Sequence, residues 1–312
     1  MPHEVKMNMS LFVAQILNSF QLGALLFLMS AGLTLVFGIM NFLNLAHGSL
    51  FMVGAYVGAT VAAKTGSFTI AIIAAIVATM LLGVVAERTL LRQLYARDHL
   101  DQVLCTFGLL LIANEAVRYI WGPSPVFINV PEMLDGTVRI FGQNYPAYRF
   151  AIIVAGIVVV LGLYLLISRT RLGMLIRAGA NNANMVSALG INIKFLNTVV
   201  FALGAGLAGL GGLLIAPLVS VQPGMGEPIL ILTLVVIVVG GIGSIRGALY
   251  GALIVGLIDT AARVYMQIGL LQIFERSVGQ AIGPAIASML IYILMAIVLA
   301  FRPQGLFPVK HG

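Results

Sequence analysis

Long apolar runs separated by short polar interruptions set the layout of this chain. About twenty apolar residues carry a helix across a bilayer. Candidate spans therefore lie at about 10–29, 31–46, 48–63, 68–91, 102–121, 150–168, 195–219, 228–242, 247–260 and 284–301. The pattern predicts an all-α, polytopic membrane protein with roughly 8–10 transmembrane helices, several of them short for a full crossing. Two interruptions fall inside apolar sequence rather than between runs. One is Asn41–Gly48 and the other Gly240–Gly247, and both read as helix, polar or glycine break, helix. Leu33–Val36 matches Leu232–Val235, and at the same offset Gly48–Phe51 resembles Gly247–Tyr250, with His47 opposite Arg246. Such an echo is either an internal repeat with broken helices near a substrate path or a chance likeness between low-complexity apolar segments. The span count makes it a parallel repeat, and an error of one span would make it inverted.

The segments between runs carry the charge. Arg169–Lys194 holds Arg169, Arg171, Arg177 and Lys194 and no acid. Short loops rich in Lys and Arg stay on the cytoplasmic side, so this loop fixes the orientation. It has a short helical pattern of its own in Met174, Ile176, Met185, Val186 and Leu189, with Gly190 placed to stop it. It is a docking surface for a soluble partner or a plain connector. Arg88, Arg92 and Arg97 place the 91–102 loop in the cytoplasm, and the tail from Arg302, with Lys310 and His311, reads the same way. The segment from Gly122 to Tyr148 has Pro123, Pro125, Pro131 and Pro146, and Glu132 and Asp135 outweigh Arg139, so it is placed outside. Trp121 suits an interface belt just before it. The chain reads as one transmembrane domain over 1–312, with a cytoplasmic loop at about 169–194 and an external loop at about 122–149. No small-residue cleavage site follows Lys6, so the first apolar run reads as a retained span.

Composition agrees with that layout. The chain is 61% hydrophobic and 9% charged with a mean hydropathy of +1.08, too few charges to cover a soluble surface. The net charge of +7 follows from the basic residues at span ends, so no nucleic-acid partner is implied. The 35 glycines suit membrane helices in close approach. The single cysteine, Cys105, excludes an intrachain disulfide and reads as a small packed hydrophobe.

Candidate chemistry is sparse. No Lys, Arg, Asp or Glu occurs between Lys6 and Lys64, so Asn41, Asn44, His47 and Gly48 lie in membrane-embedded sequence. Polar groups there face protein or a water-filled route. They line a translocation path or brace the broken helix. Gly240, Gly241, Gly243 and Ser244 have the same two readings, path or helix packing. The glycine cluster lacks the Lys-Ser/Thr pair of a phosphate loop. Gly204–Gly209 fits GxGxxG by letter but sits in an apolar helix with no preceding strand, and reads as a helix interface. His3, His47, His99 and His311 have no metal-like spacing. Glu87, Glu115, Glu227 and Asp259 are scattered near span ends, which gives a proton relay little support. No catalytic set is visible, so no enzyme is predicted. An ion-coupled secondary transporter stays as an alternative, without a clear carboxylate site to drive it.

Three stretches resemble one family. Gly32–Tyr56 (GLTLVFGIMNFLNLAHGSLFMVGAY) is similar to the signature of the H-type permease of branched-chain amino-acid ABC importers. Arg169–Asn192 resembles that family's ATPase-coupling segment, and Gly240–Gly256 its C-terminal signature. The resemblance implies a complex: this chain, an M-type permease, two cytoplasmic ATPases and a periplasmic substrate-binding protein, in the bacterial inner membrane. ATP and Mg would sit on the ATPases, and this chain would carry no cofactor and no metal. Coupling would fall on Arg171, Gly173, Arg177, Ala178, Asn181, Asn182, Ala188 and Gly190. Some members have an acid pair where this chain has Asn181 and Asn182, so a charged contact to the ATPase would be missing. Relatives of this type serve leucine-like amino acids, urea, amides and aromatic acids, and the sequence leaves the substrate open among these.

Overall fold

A computed structural model describes residues 9–273 and 276–307. Lys6, His3, Lys310 and His311 lie outside the described residues. The described chain forms ten α-helices. They are α1 Met9–Met40, α2 His47–Thr65, α3 Phe68–Thr89, α4 His99–Trp121, α5 Ala147–Arg169, α6 Arg171–Ala188, α7 Ile193–Ile215, α8 Gly226–Gly240, α9 Ile245–Ile273 and α10 Arg276–Phe301. Seven of these are long and apolar enough to cross a membrane. With α2 and α8 shorter, the protein is an all-α, multi-pass membrane protein. α6 is amphipathic and lies across one end of the bundle, here called the α6 end.

The runs expected at 10–29 and 31–46 are one helix, α1. Length alone suggested the division, but Ser30–Ala31–Gly32 contains no proline and nothing else that stops a helix. At 32 residues α1 is about 48 Å long, more than the apolar layer needs. It stops only at Asn41, which takes φ +48°, a left-handed conformation that Asn tolerates better than most residues.

The 122–148 segment, whose pattern predicts an external loop, contains a β-hairpin. β1 Thr137–Ile140 pairs antiparallel with β2 Gln143–Pro146. Phe141 and Gly142 both have positive φ, the geometry of a tight two-residue hairpin turn. The hairpin marks the other end of the bundle. There the Tyr145 hydroxyl and Arg149 Nη1 both donate to Asn18 Oδ1 at 3.1 Å.

Two units of four helices build the bundle. α1 runs from the hairpin end to the α6 end, where Ile39 and Leu196 flank Gly179. The chain then turns back, and α2 begins inside the bundle: His47 Nε2 meets the Met29 carbonyl at 3.2 Å. α2 continues to the hairpin end, where Trp121 Nε1 donates to Thr60 Oγ1 at 2.7 Å. α7 makes the opposite journey, and α8 begins inside the bundle at Gly226, packed on Gly48, and runs to the α6 end. Thus α1–α4 and α7–α10 repeat the same order with inverted direction. The contacts between the units are reciprocal. A Cβ on Gly32 would lie 2.6 Å from the Gly204 carbonyl, and one on Gly204 would lie 2.8 Å from that of Gly32. Gly48 and Gly226 are backed against each other in the same way. α1 packs on α9 as α7 packs on α3. The repeat is therefore inverted, and this corrects the parallel reading. The lettered echo aligned α1 with α8, which do run the same way, but the pseudo-symmetry pairs α1 with α7.

α7 is the central helix, and its glycines are packing sites. Gly209 sits against Thr79, Gly212 against the Phe51 backbone and Gly206 against Met80. The GxGxxG letters in it are a helix interface. α3, α4, α5 and α10 are mostly peripheral and expose apolar faces.

Candidate functional site

At the α6 end a cleft of about 1130 Å³ opens between α1, α5, α6 and the α8–α9 break. Its deep wall is apolar, with Phe27, Leu35 and Val160. Its mouth is polar: Asn41 from α1, Ser168 from α5, Arg177 and Asn181 from α6, and Gly243, Ser244 and Arg246 from the break, while Thr34, 1% exposed, lies deeper beside Leu35. Among the described residues two guanidinium groups and no acid line it, so the mouth favours anions and dipole negative ends. The break is shaped by Gly241 (φ +113°) and Gly243 (φ +81°), and Ser244 Oγ accepts the Gly247 N–H at 3.0 Å to cap α9. Asn41, Gly243 and Ser244 from the predicted path residues, and Arg177 and Asn181 from the predicted coupling residues, meet in this one cleft.

The other predicted path residues lie elsewhere. His47 and Gly48 open α2 at the crossing of the two repeats, buried against Met29, Gly32 and Gly226. Asn44, just before them, is 1% exposed, and neither amide atom has a partner among the described residues. A buried polar side chain with both atoms unpaired calls for water or another ligand. Gly240 and Gly241 are packed shut. A Cβ on Gly240 would collide with the Gly247 carbonyl, and one on Gly305 with Gly241. The tail covers them: the Phe307 N–H donates to the Gly240 carbonyl at 2.8 Å.

α6 is built by capping at three points. The Thr170 side chain accepts the Gly173 N–H at 3.0 Å. Gly173 itself presses on the Leu166 and Ile167 carbonyls, where a side chain would not fit. The helix breaks at Asn182 (φ −155°, ψ 92°), and Asn182 Oδ1 accepts the Met185 N–H at 2.9 Å, restarting the second half. Gly190, at φ +85°, closes it as the left-handed residue of a C-terminal cap. Ile176, Gly179 and Val186 face inward, and Ala178 is half-buried. Arg171, Asn181, Asn182, Ala188 and Gly190 are exposed, along with Met174, Met185 and Leu189.

The acids that looked scattered are each paired. Glu87 is fully buried at the end of α3. Its Oε1 accepts from Arg92 Nε and the Tyr95 hydroxyl, both at 3.1 Å. Its Oε2 is 3.0 Å from Arg92 Nη2 and 2.8 Å from Thr198 Oγ1. Thr198 stands in the second turn of α7, directly after α6, so this network ties the α6 end of α7 to the α3–α4 connection. Burial, reinforced by the Glu87 charge, pushes the Tyr95 phenol above its ordinary value. Asp259 binds Arg263 within α9 at 2.9 Å. Glu115 pairs with Arg118 at 3.2 Å on α4, and Glu227 accepts from Asn114 at 2.7 Å. Sequence reasoning missed the Glu87 network because Arg92 follows at i+5 past a helix end, and because Thr198 is more than a hundred residues away.

Residues 15–299 match the family described as branched-chain amino acid transport system / permease component. The chain is 29% identical to the high-affinity branched-chain amino acid transport system permease protein BraD of Pseudomonas aeruginosa, covering 95% of each chain. It is 28% identical to the permease protein LivH of the corresponding system in Escherichia coli, over 82% of this chain and 87% of that one. It is also 28% identical to the ribose import permease protein RbsC of Escherichia coli, over 74% and 72%. No solved structure matches it.

Proposed function

The chain belongs to the family of branched-chain amino acid transport system permease components, and from that premise we propose that it is the H-type membrane subunit of a binding-protein-dependent ABC importer. It moves branched-chain or related amino acids across the bacterial inner membrane. It works beside an M-type permease, two cytoplasmic ATPases that hold ATP and Mg, and a periplasmic binding protein. The whole of 1–312 acts as one transmembrane permease domain and has no catalytic residue.

One observation carries this reading. Residues of the α6 segment and of both helix breaks line the same cleft. A push on α6 by a docked ATPase is thereby delivered to the mouth of the membrane path, without a long relay. More of the basic residues lie at this end, Arg88, Arg92, Arg97, Arg169, Arg171, Arg177, Lys194 and Arg246, than at the hairpin end, which has Lys64, Arg118, Arg139 and Arg149, and this bias supports reading the α6 end as cytoplasmic. The hairpin end, with Glu132 and Asp135, is then periplasmic and receives the binding protein. Met174, Met185 and Leu189 give α6 an exposed apolar face for the ATPase. Asn44, His47 and Gly48, buried at the crossing of the two repeats, brace the broken helix behind the cleft. Gly240 and Gly241 let the α8–α9 turn close.

The test is ATP hydrolysis by the complex in lipid, with and without a leucine-, isoleucine- or valine-loaded binding protein. Loaded binding protein stimulates the wild type. Gly190→Pro, which forces φ from +85° to about −65°, uncouples it. A chain that purifies without an ATPase and transports alone on an ion gradient would overturn the proposal in favour of a secondary transporter.

A further inference from the structure

A second pocket, of about 490 Å³, lies near the hairpin end between α4 and the start of α8. The outward stripe of α4 runs Leu104, Phe107, Leu111 and is exposed and apolar. It then turns charged, with Glu115 and Arg118 one turn apart. Glu227, in the first turn of α8, faces the same space, and Asn114 orients its carboxylate. Charged groups on a spanning helix face water, protein or a ligand rather than lipid. The other paired acids of the bundle, Glu87 and Asp259, are buried and serve packing. Glu115, its side chain 68% exposed, and Glu227 instead line this open pocket.

We infer that this pocket binds the zwitterionic head of an α-amino acid. The inference rests on the amino-acid reading above and goes further by giving the substrate a site. Both charges of a zwitterion sit on one carbon, so the site needs an acceptor and a donor side by side. The Glu115–Arg118 pair, 3.2 Å apart, supplies them. Arg118 takes the carboxylate in a charge-assisted hydrogen bond. Glu115 and Glu227 share the ammonium, and the pocket's formal charge of −1 (one Arg against two Glu) favours that end. Leu111 and Pro223 form the apolar wall for an aliphatic side chain. Gly224, at φ +84°, adds no side chain to narrow the opening. The cleft at the α6 end has two arginines and no acid, so it has no partner for the ammonium. The pocket near the hairpin end is therefore the first station after delivery.

The test measures binding of tritiated L-leucine to the permease–ATPase complex purified without its binding protein. Saturable binding is displaced by unlabelled leucine, and at least tenfold less well by leucinamide, which lacks the carboxylate, or by ribose, which lacks both charges. Arg118→Gln and Glu227→Gln each weaken binding about tenfold or more. Arg118→Lys recovers part of the loss, and Asp101→Asn, exposed in the first turn of α4 at the opposite end from the pocket, changes nothing. Co-purification of the ATPases shows that each variant is assembled. Leucine uptake by the full wild-type complex, combined with no binding or with site variants that bind like wild type, overturns this site and leaves the proposed function standing. A full complex that takes up ribose and no amino acid overturns both.

Discussion

Replacing Glu87 by Gln tests the tie between α3 and α7. The carboxylate is fully buried, and each oxygen has two donors within 3.1 Å. Gln keeps the shape but turns one oxygen into an amide NH2, which then faces one Arg92 N–H and one hydroxyl whichever way the amide lies. One Arg92 hydrogen bond is lost, the hydroxyl beside the NH2 must turn to accept from it, and the bonds that remain lose the carboxylate charge. Breaking a buried ion pair costs about 3–5 kcal/mol. The Arg92 side chain is 32% exposed and can recover some water, so the lower end, about 3 kcal/mol, is expected. At about 2 °C per kcal/mol for a chain of this length, the melting temperature falls by about 6 °C. The assay is a thermal scan of the purified chain in detergent with a thiol-reactive fluorogenic dye. Cys105, the only cysteine and partly buried on α4, is the reporter. Thr198→Val should cost about 1–2 kcal/mol alone, and less in the Glu87→Gln background, because the two share one network. A Glu87→Gln chain that melts within about 1 °C of wild type would refute the argument.

Further outcomes follow from local geometry. Gly212→Ala places a methyl in collision with the Phe51 backbone and should lower the melting temperature by several degrees, whereas Gly162→Ala, with open space around it, should leave it level or slightly raised. Asn182→Ala removes the cap that restarts α6 and should cost about 1 kcal/mol locally, read as faster amide exchange over 183–188. Asn182→Asp keeps the cap, and a rise in binding-protein-stimulated ATP hydrolysis would identify a charged contact that the wild-type amide lacks. Thr60→Val removes the hydroxyl that accepts from Trp121 Nε1 at 2.7 Å and should shift the emission of the chain's single tryptophan.

The helices were legible because the bilayer imposes a strong rule. A spanning backbone must satisfy its own hydrogen bonds, so apolar length alone marks α3, α4, α5 and α7. The basic 169–194 segment was legible for a similar reason, since charge and short amphipathic period both differ from the spans beside it. The boundary at 29–31 was misplaced, because a rule of length cannot show that a helix overshoots the membrane. The hairpin at 137–146 escaped because its strands are short and its turn begins with Phe141, a residue that seldom takes positive φ.

By itself the sequence determined the membrane class, the order of the spans, the family signatures and the two breaks around Asn41 and Gly243. These are local properties, written in runs of a few to twenty residues. The tertiary structure alone decided that the repeat is inverted, because pseudo-symmetry lies in which backbones meet: Gly32 with Gly204 and Gly48 with Gly226. It also decided that Asn41, Arg177 and Ser244 share one cleft while Gly240 lies under the tail. Glu87, Arg92 and Thr198 became partners, and Glu115, Arg118 and Glu227 came to line one pocket, only in the folded bundle. Contacts between residues a hundred positions apart depend on how helices cross, and helix crossing is set by small residues whose letters, Gly and Ala, look alike everywhere in an apolar chain.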